Sequence, residues 1–434
     1  MVDLTIVALA AGKGTRMLSD LPKVMHKVAQ QSLIEYVIHT AQTITEKVII
    51  VTSEALQNNI EFQHITRHHA VTTVIQKTPL GTAHAVKETI DHIDSEYTLI
   101  LCGDVPFLKV STIQNMCKHP VDLVILGFEC DVNNSYGRIV LDENGNPAKI
   151  VEIKEANTQE QNIITCNAGV FLIKTDVLKN FLNEVQNDNK SGEYYLTDLV
   201  EFVYRHNGPL KNKLIVTHNK DEVMGINDKN ELARAEAICQ EKLRAALLSN
   251  GVNILSPHTV FLTPTTKIKS GSIIHPFVVF GRDVYIDHEV TILPFCHIEG
   301  ANISKGVTIG PFARIRPKTD VKEYAKIGNF VEVKNSVLGN ETKASHLSYI
   351  GDATIDEKVN IGAGTIFCNY DGYEKNSSKV GKNSFIGSNS CIISPIEIDA
   401  DAFVGAGTVV TRDVPANYLA ISRADQKNIK RKRK

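Results

Sequence analysis

Leu9-Ala10-Ala11-Gly12-Lys13-Gly14-Thr15-Arg16 closes an apolar run with a glycine-rich turn, and Lys23 follows after Leu21-Pro22. Such a turn lets backbone N–H groups approach an anion closely, and Arg16 and Lys23 would add charge against a polyphosphate. The spacing is not that of a Walker A loop. Met17 also breaks the G-x-G-x-x-G dinucleotide pattern. On these residues alone, a phosphate cradle and a plain tight turn both remain open. A second stretch, Cys102-Gly103-Asp104-Val105-Pro106, puts a carboxylate at the end of another apolar run. Hard carboxylate oxygens suit Mg²⁺, which keeps water and phosphate among its ligands. A turn aspartate is the other reading.

The elements that must carry these residues alternate. Leu4–Leu9, Lys47–Val51, Tyr97–Leu101 and Asp122–Phe128 read as strands, and Leu33–Thr43 and Ala83–Ile90 show helical spacing. The alternation predicts βαβ units and a mostly parallel sheet, whose ligands gather at the carboxyl ends of the strands. From Asp228 to Leu248 the residues Leu232, Ala235, Cys239, Leu243, Ala246 and Leu247 form a helical stripe. Asp228 with Glu231 resembles a capping box, and Gly251 is a stop, which predicts a long connecting helix.

From Ile268 the period becomes six. Ile268, Ile274, Phe280, Ile286, Ile292 and Ile298 lead, after a one-residue slip, to Ile303, Ile309, Ile315, Val321, Ile327 and Val333. Val380, Ile386, Ile392, Ile398, Val404 and Val410 resume it. A hexapeptide period predicts a parallel β-helix, in which each apolar residue points inward after a corner. A sandwich of short strands would alternate with period two instead. The register fails near Lys334–Leu347 and Asn369–Lys379. Ejected loops are expected at both places, and with them chemistry. The domains are therefore expected at 1–227, 228–250 (the linker helix) and 251–434.

Composition limits the function classes. The 434 residues are 43% hydrophobic and 22% charged with a net charge of −2, which points to packed cores and to no nucleic-acid partner. The eight cysteines form no CxxC pair, so scattered free thiols in a reducing compartment are expected. Val2–Ala11 reads as a first strand rather than a signal peptide, and no apolar run reaches membrane-spanning length. A cytoplasmic protein without a membrane span is the expectation. The basic tail Lys427–Lys434 reads as a solvated end.

Taken together, L-A-A-G-K-G-T-R-M followed by L-P-K resembles the sugar-nucleotide pyrophosphorylase family. Gln76, Leu80-Gly81-Thr82, Gly103-Asp104, Tyr136-Gly137-Arg138, Ile150-Val151-Glu152 and Asn167-Ala168-Gly169 fall in that family's order. With Gly310–Arg314, Lys343–Asp352 and Asn360–Thr365 added, the whole chain resembles one bacterial family. Its members are bifunctional N-acetylglucosamine-1-phosphate uridyltransferases and glucosamine-1-phosphate N-acetyltransferases. The resemblance implies a Rossmann-like α/β nucleotidyltransferase domain followed by a left-handed β-helix acetyltransferase domain assembled as a homotrimer. It implies UTP, acetyl-CoA, glucosamine 1-phosphate and N-acetylglucosamine 1-phosphate as substrates, with Mg²⁺. UDP-N-acetylglucosamine, a precursor of peptidoglycan and lipid A, would be the product.

By the same resemblance Leu9, Ala10, Ala11, Gly12, Gln76, Gly81 and Thr82 line the nucleotide pocket. Arg16 and Lys23 screen the anions, Gly137, Glu152 and Asn167 face the sugar, and Asp104 and Asn227 hold the metal. Gly103 belongs to the same motif, in which Cys102 replaces the aromatic that close relatives carry. His346 is implied as the base for acetyl transfer, a task that suits the titration range of histidine. Arg316 and Lys334 are implied to bind the sugar phosphate, and Tyr349, Asn360, Asn369 and Tyr370 to position the sugar. Ala363, Ser388, Ala406 and Arg423 match acetyl-CoA positions. Two rivals are a nucleotidyltransferase whose β-helix only oligomerises it, and a non-catalytic scaffold. The intact His346, Asn369 and Arg423 set argues against the first. The intact Lys23, Asp104 and glycine-rich loop argue against the second.

Overall fold

The computed structural model describes residues 2–119, 121–206, 211–422 and 424–431. They form two compact units, Met1–Glu236 and Ala237–Lys434. In the first unit the strands are β1 (Leu4–Leu9), β2 (Val48–Thr52), β3 (Thr72–Ile75), β4 (Tyr97–Cys102), β5 (Leu123–Glu129), β6 (Arg138–Leu141), β7 (Pro147–Val151), β8 (Thr165–Lys174) and β9 (Asn212–Thr217). The sheet runs β9-β5-β8-β4-β1-β2-β3, and β6 joins β8 to β7. β1 lies parallel to β2 and β4, whereas β8 runs antiparallel to β4 and β5. Ile6, Val7 and Ala8 are all buried, so β1 is covered on both faces, as a parallel strand with helical crossovers must be. Leu9 pairs with Cys102 at the carboxyl ends of β1 and β4, so the glycine-rich turn and Gly103-Asp104 leave the sheet side by side.

The second unit is a parallel β-helix built of three sheets with ten, eight and eight strands. One inward column reads Ile274, Ile292, Ile309, Ile327, Ala344, Ile361, Ile386 and Val404, each paired with the next coil. All of these side chains are buried. Burying an aliphatic side chain contributes roughly 1.5–3 kcal/mol, so each coil pays for its own ordering mainly by covering its neighbour's apolar face. The expected break at Lys334–Leu347 is not an ejected loop. Strands Glu332–Lys334, Val337–Leu338 and Lys343–His346 keep the coil, with Leu338 and Ala344 as inward residues. The second break is a loop. Residues 369–377 leave after Ile366–Cys368, close with a Tyr370–Lys375 bridge, and the ladder resumes where Ile355 pairs with Val380.

The connecting helix spans Lys229–Ser249. Asp228 caps it by accepting from the N–H groups of Asn230 and Glu231 at 2.8 and 2.9 Å. The reciprocal bond departs from the expected box, because the Glu231 carboxylate accepts from Asn227 N–H at 2.6 Å, one residue earlier. Gly251 N–H reaches Leu248 O and Val252 N–H reaches Leu247 O, both 3.1 Å, a Schellman ending. Ala235, Cys239 and Leu247 are buried, while Ala246, expected on the same stripe, is exposed. No helix among the described residues is long and apolar enough to cross a membrane. All eight cysteines are free thiols.

Candidate functional site

A cleft of about 490 Å³ opens where β1 and β4 end. Leu9, Ala10, Ala11, Gly12, Arg16, Lys23, Gln76, Gly81, Thr82, Cys102, Asp104 and Asn227 all line it. The structure adds Lys13 and Glu193, which motif reading did not single out. Gly103 does not face the cleft. Its N–H donates to Leu9 O at 2.9 Å, and a Cβ there would lie 2.9 Å from that oxygen, so glycine is what lets the two strand ends close up. Gly14 sits at φ +61°, where a Cβ would meet Lys23 Cβ at 2.6 Å. That left-handed residue folds the turn against Lys23.

The Lys23 ammonium is the hub of the cleft. It donates to the Asp104 carboxylate and to Asn227 Oδ1, the latter at 3.1 Å. Lys23 and Asp104 are each mostly buried. Helix capping, the competing role for Asn227, falls to Asp228. The Asn227 carboxamide is thus left turned toward Lys23. Two hard oxygens therefore converge on one cation, which is the donor set Mg²⁺ takes. Gln76 Nε2 donates to Gly81 O at 3.1 Å, and Thr82 Oγ1 accepts from Leu196 N–H at 2.9 Å, so both side chains shape the loop that walls the cleft.

Gly137, Glu152 and Asn167 do not line this cleft. Glu152 lines a neighbouring one of about 710 Å³ with Tyr195, Thr197 and Asp198. The three form one linked group: Asn167 N–H donates to Gly137 O at 2.9 Å, and Gly137 lies against the Glu152 carboxylate. Gly169 N–H donates to Asn167 Oδ1 at 2.9 Å, while Cys102 Sγ faces Gly169 O at 3.5 Å. Burial pushes the Cys102 thiol up to about 12, so it is a neutral packing group beside the cleft. Burial also raises the Glu152 carboxyl, against a hydrogen bond from Thr197.

In the β-helix, Arg316 and Lys334 occupy equivalent positions in successive coils, since Arg314 pairs with Glu332. Their backbones stand one sheet spacing apart, about 4.8 Å, so both side chains can reach one phosphate. Arg316 Nη1 donates to Glu332 Oε1 at 2.9 Å, and Lys334 lies 3.9 Å from Asp352. Tyr349 pairs with Glu332 one coil on. Asp352 ends the Lys343–Asp352 stretch, where the motif gave it no role of its own, and it links three of these side chains. Its carboxylate accepts from Asn335 Nδ2 at 2.5 Å and from Asn369 Nδ2. Burial pushes that carboxyl up, but the bonds from Asn335 and Asn369 and the charge of Lys334 outweigh it and hold it low.

His346 is exposed, and its Nδ1 lies 2.6 Å from Asn329 Oδ1, its pairing partner in the preceding coil. A carbonyl oxygen there accepts Nδ1–H and leaves Nε2 with a lone pair. Asn329 was missed, because nothing in Ile327-Gly328-Asn329-Phe330 sets it apart from the other corners. Asn360 pairs with Lys343, three residues before His346. Ala363, Ser388 and Ala406 stand in successive coils, because Ile361, Ile386 and Val404 pair in turn. These small side chains make a shallow strip along the coil edge. Tyr370 is exposed on the loop at 369–377, its hydroxyl donating to Gly372 O at 2.7 Å. Arg423 lies outside the described residues.

Residues 6–131 match the model of the MobA-like NTP transferase domain, and residues 379–412 match the hexapeptide repeat of succinyl-transferase. Parallel sheets with that repeat are consistent with a left-handed β-helix. The chain is 40% identical over 430 residues to the bifunctional protein GlmU of Zymomonas mobilis subsp. mobilis, covering 97% of this chain and 95% of that one. It is 38% identical over 425 residues to that of Paracoccus denitrificans, covering 98% and 94%. It is also 38% identical over 429 residues to that of Wolbachia pipientis wMel, covering 97% of each chain.

Proposed function

The chain belongs to the bifunctional GlmU family, and on that premise we propose how its two sites divide the synthesis of UDP-N-acetylglucosamine. It is a nucleotidyltransferase and an N-acetyltransferase in one polypeptide. In the β-helix the amine of glucosamine 1-phosphate attacks the thioester carbon of acetyl-CoA. His346 Nε2 takes the amine proton, the C–S bond breaks, and that proton passes to the departing sulfur, so CoA leaves as the thiol and the imidazole is neutral again. Arg316 and Lys334 hold the sugar phosphate, while Tyr349, Asn360, Asn369 and Tyr370 orient the ring. The strip Ala363, Ser388 and Ala406 accepts the pantetheine arm, and Ala363 N–H faces the developing oxyanion. Arg423 joins the acetyl-CoA contacts by resemblance alone.

In the first unit the phosphate of N-acetylglucosamine 1-phosphate attacks the α-phosphorus of UTP, and pyrophosphate leaves. That nucleophile is already anionic, so the site needs no general base. The chain's task is to screen two anions from one another. Arg16, Lys23 and the N–H groups of residues 9–12 do so, with Gln76, Gly81 and Thr82 walling the nucleotide. Gly137, Glu152 and Asn167 hold the sugar. Mg²⁺, held by Asp104 and Asn227, would supply charge neutralisation at the phosphates when bound. With those two oxygens taken by the metal, the Lys23 ammonium would be available to a phosphate. The observation that carries this reading is the convergence of Lys23, Asp104 and Asn227 beside the glycine-rich turn.

A homotrimer is supported by an exposed aromatic column. Phe277, Phe295, Phe312 and Phe330 stack with centroids 5.0, 4.9 and 5.3 Å apart. Each is about half exposed, and Leu347 continues the line. An apolar ridge of that length on a coil edge asks for cover by another subunit. We place the protein in the cytoplasm, where its nucleotide and thioester substrates are made. The test is a pair of assays on purified protein. One supplies glucosamine 1-phosphate and acetyl-CoA and follows free thiol. The other supplies N-acetylglucosamine 1-phosphate, UTP and Mg²⁺ and follows pyrophosphate. Both products are expected, and absence of thiol would reduce the β-helix to a scaffold.

A further inference from the structure

A second cluster of metal-ligating side chains lies on different elements from the cleft. Glu35 and His39 stand four residues apart on one face of the helix Leu33–Gln42, and His69 ends the helix Ile60–His69. One ligand atom from each lies within 4.8 Å of the other two. The His39 and His69 rings meet edge to face with centroids 4.8 Å apart. Glu35 is buried, His39 is exposed and His69 is half-buried, so the group opens to solvent on one side.

We propose that Glu35, His39 and His69 bind a divalent transition metal of the Zn²⁺ class, pinning the two helices together. Two imidazole nitrogens and one carboxylate oxygen are a borderline-soft donor set that Zn²⁺ accepts at about 2.0–2.2 Å. Ligands at that distance from one ion lie roughly 3–4 Å apart, and side-chain rotation of exposed His39 supplies the closing. Two neutral imidazoles and a carboxylate carry one negative charge, which a dication offsets inside a partly buried site.

The surrounding carboxamides fit the same purpose. His69 Nδ1 lies 2.8 Å from Gln42 Oε1, and Gln42 Nε2 donates back to His69 O at 2.5 Å. That pair holds His69 in the tautomer whose Nε2 bears a lone pair. Buried Gln31 sets its amide nitrogen, Nε2, 3.0 Å from His39 Nδ1, a donor that puts the ring proton on His39 Nε2. A half-turn of that amide presents its oxygen and gives His39 the same tautomer. The site is independent of the Mg²⁺ reading, because neither Asp104 nor Asn227 belongs to it.

The test uses the full chain, stripped of metal by dialysis against chelator and kept reduced, with millimolar Mg²⁺ present throughout. Zn²⁺ is titrated calorimetrically into this protein, His39→Gln and His69→Gln, and melting temperature is followed with and without Zn²⁺. The original chain is expected to take up one equivalent with a rise in melting temperature. Each variant should bind at least ~10-fold more weakly and lose the thermal shift. Co²⁺ should give a visible spectrum without thiolate charge transfer. Unchanged pyrophosphate release in both variants shows that they are folded. Equal Zn²⁺ uptake in the original chain and both variants, or no uptake in the original chain, would overturn the proposal.

Discussion

Replacing Asn329 by alanine separates the orientation of the proposed base from its presence. The Asn329–His346 contact is 2.6 Å and lies on an exposed corner of two successive coils. A neutral hydrogen bond contributes about 0.5–1.5 kcal/mol net, and solvent access puts this one toward the low end. Loss of tautomer control should therefore cost roughly 2- to 5-fold in kcat for thiol release. Removing the base itself in His346→Ala should cost about 10²–10⁴-fold. The KM for glucosamine 1-phosphate should hardly move in Asn329→Ala, because Lys334 sits on a different sheet of the coil and Arg316 directly follows a strand of that same sheet. Stopped assays across pH 6–9 give both constants, and pyrophosphate release in the same preparation is the control. An unchanged kcat, or a loss confined to KM, would refute the orienting role.

Asp352→Asn should raise the KM for glucosamine 1-phosphate about 10-fold with a smaller change in kcat, since Asn369, Asn335 and Lys334 lose a charged anchor. Initial rates of thiol release at varied sugar phosphate check this. Lys23→Ala should lower pyrophosphate release about 10²–10³-fold and leave thiol release intact, read by running both assays on one sample. Asp198 is raised to about 6 by burial, then by Glu201 and Glu152. A carboxyl whose folded value is raised stabilises the fold below its ordinary value, near 3.8, and that contribution is lost as pH rises toward 6. Asp198→Asn should accordingly raise the melting temperature by about 2–4 °C at pH 8, for roughly 1 kcal/mol after solvent screening, and by less than about 1 °C at pH 4. Scanning calorimetry at the two pH values decides it.

The β-helix was legible because each inward position normally carries one large aliphatic residue and a coil repeats it every six residues. The pattern vanished at 334–347 for a local reason: Ala344 is the inward residue, and Val333 to Leu338 is a five-residue step. A small inward side chain and a shortened corner look in sequence like an insertion, although the ladder continues without one. The loop at 369–377 was legible because inward Phe367 and Val380 are a thirteen-residue step apart. The glycine-rich turn announced itself, but its partners did not. Asp104 and Asn227 lie 81 and 204 residues from Lys23, and only the order of strands brings them together. Asn329 and the role of Asp352 escaped notice because their partners are 17 residues away, one coil along, and no period marks a polar pair.

The most direct test of two separate sites in one chain is a complementation assay. His346→Ala, Asp104→Asn and an equimolar mixture of the two are each given glucosamine 1-phosphate, acetyl-CoA, UTP and Mg²⁺, and UDP-N-acetylglucosamine is followed by chromatography. His346→Ala should stop at the starting sugar phosphate, Asp104→Asn should accumulate N-acetylglucosamine 1-phosphate, and the mixture should make the nucleotide sugar. Accumulation of no acetylated intermediate by Asp104→Asn, together with an inactive mixture, would contradict the account.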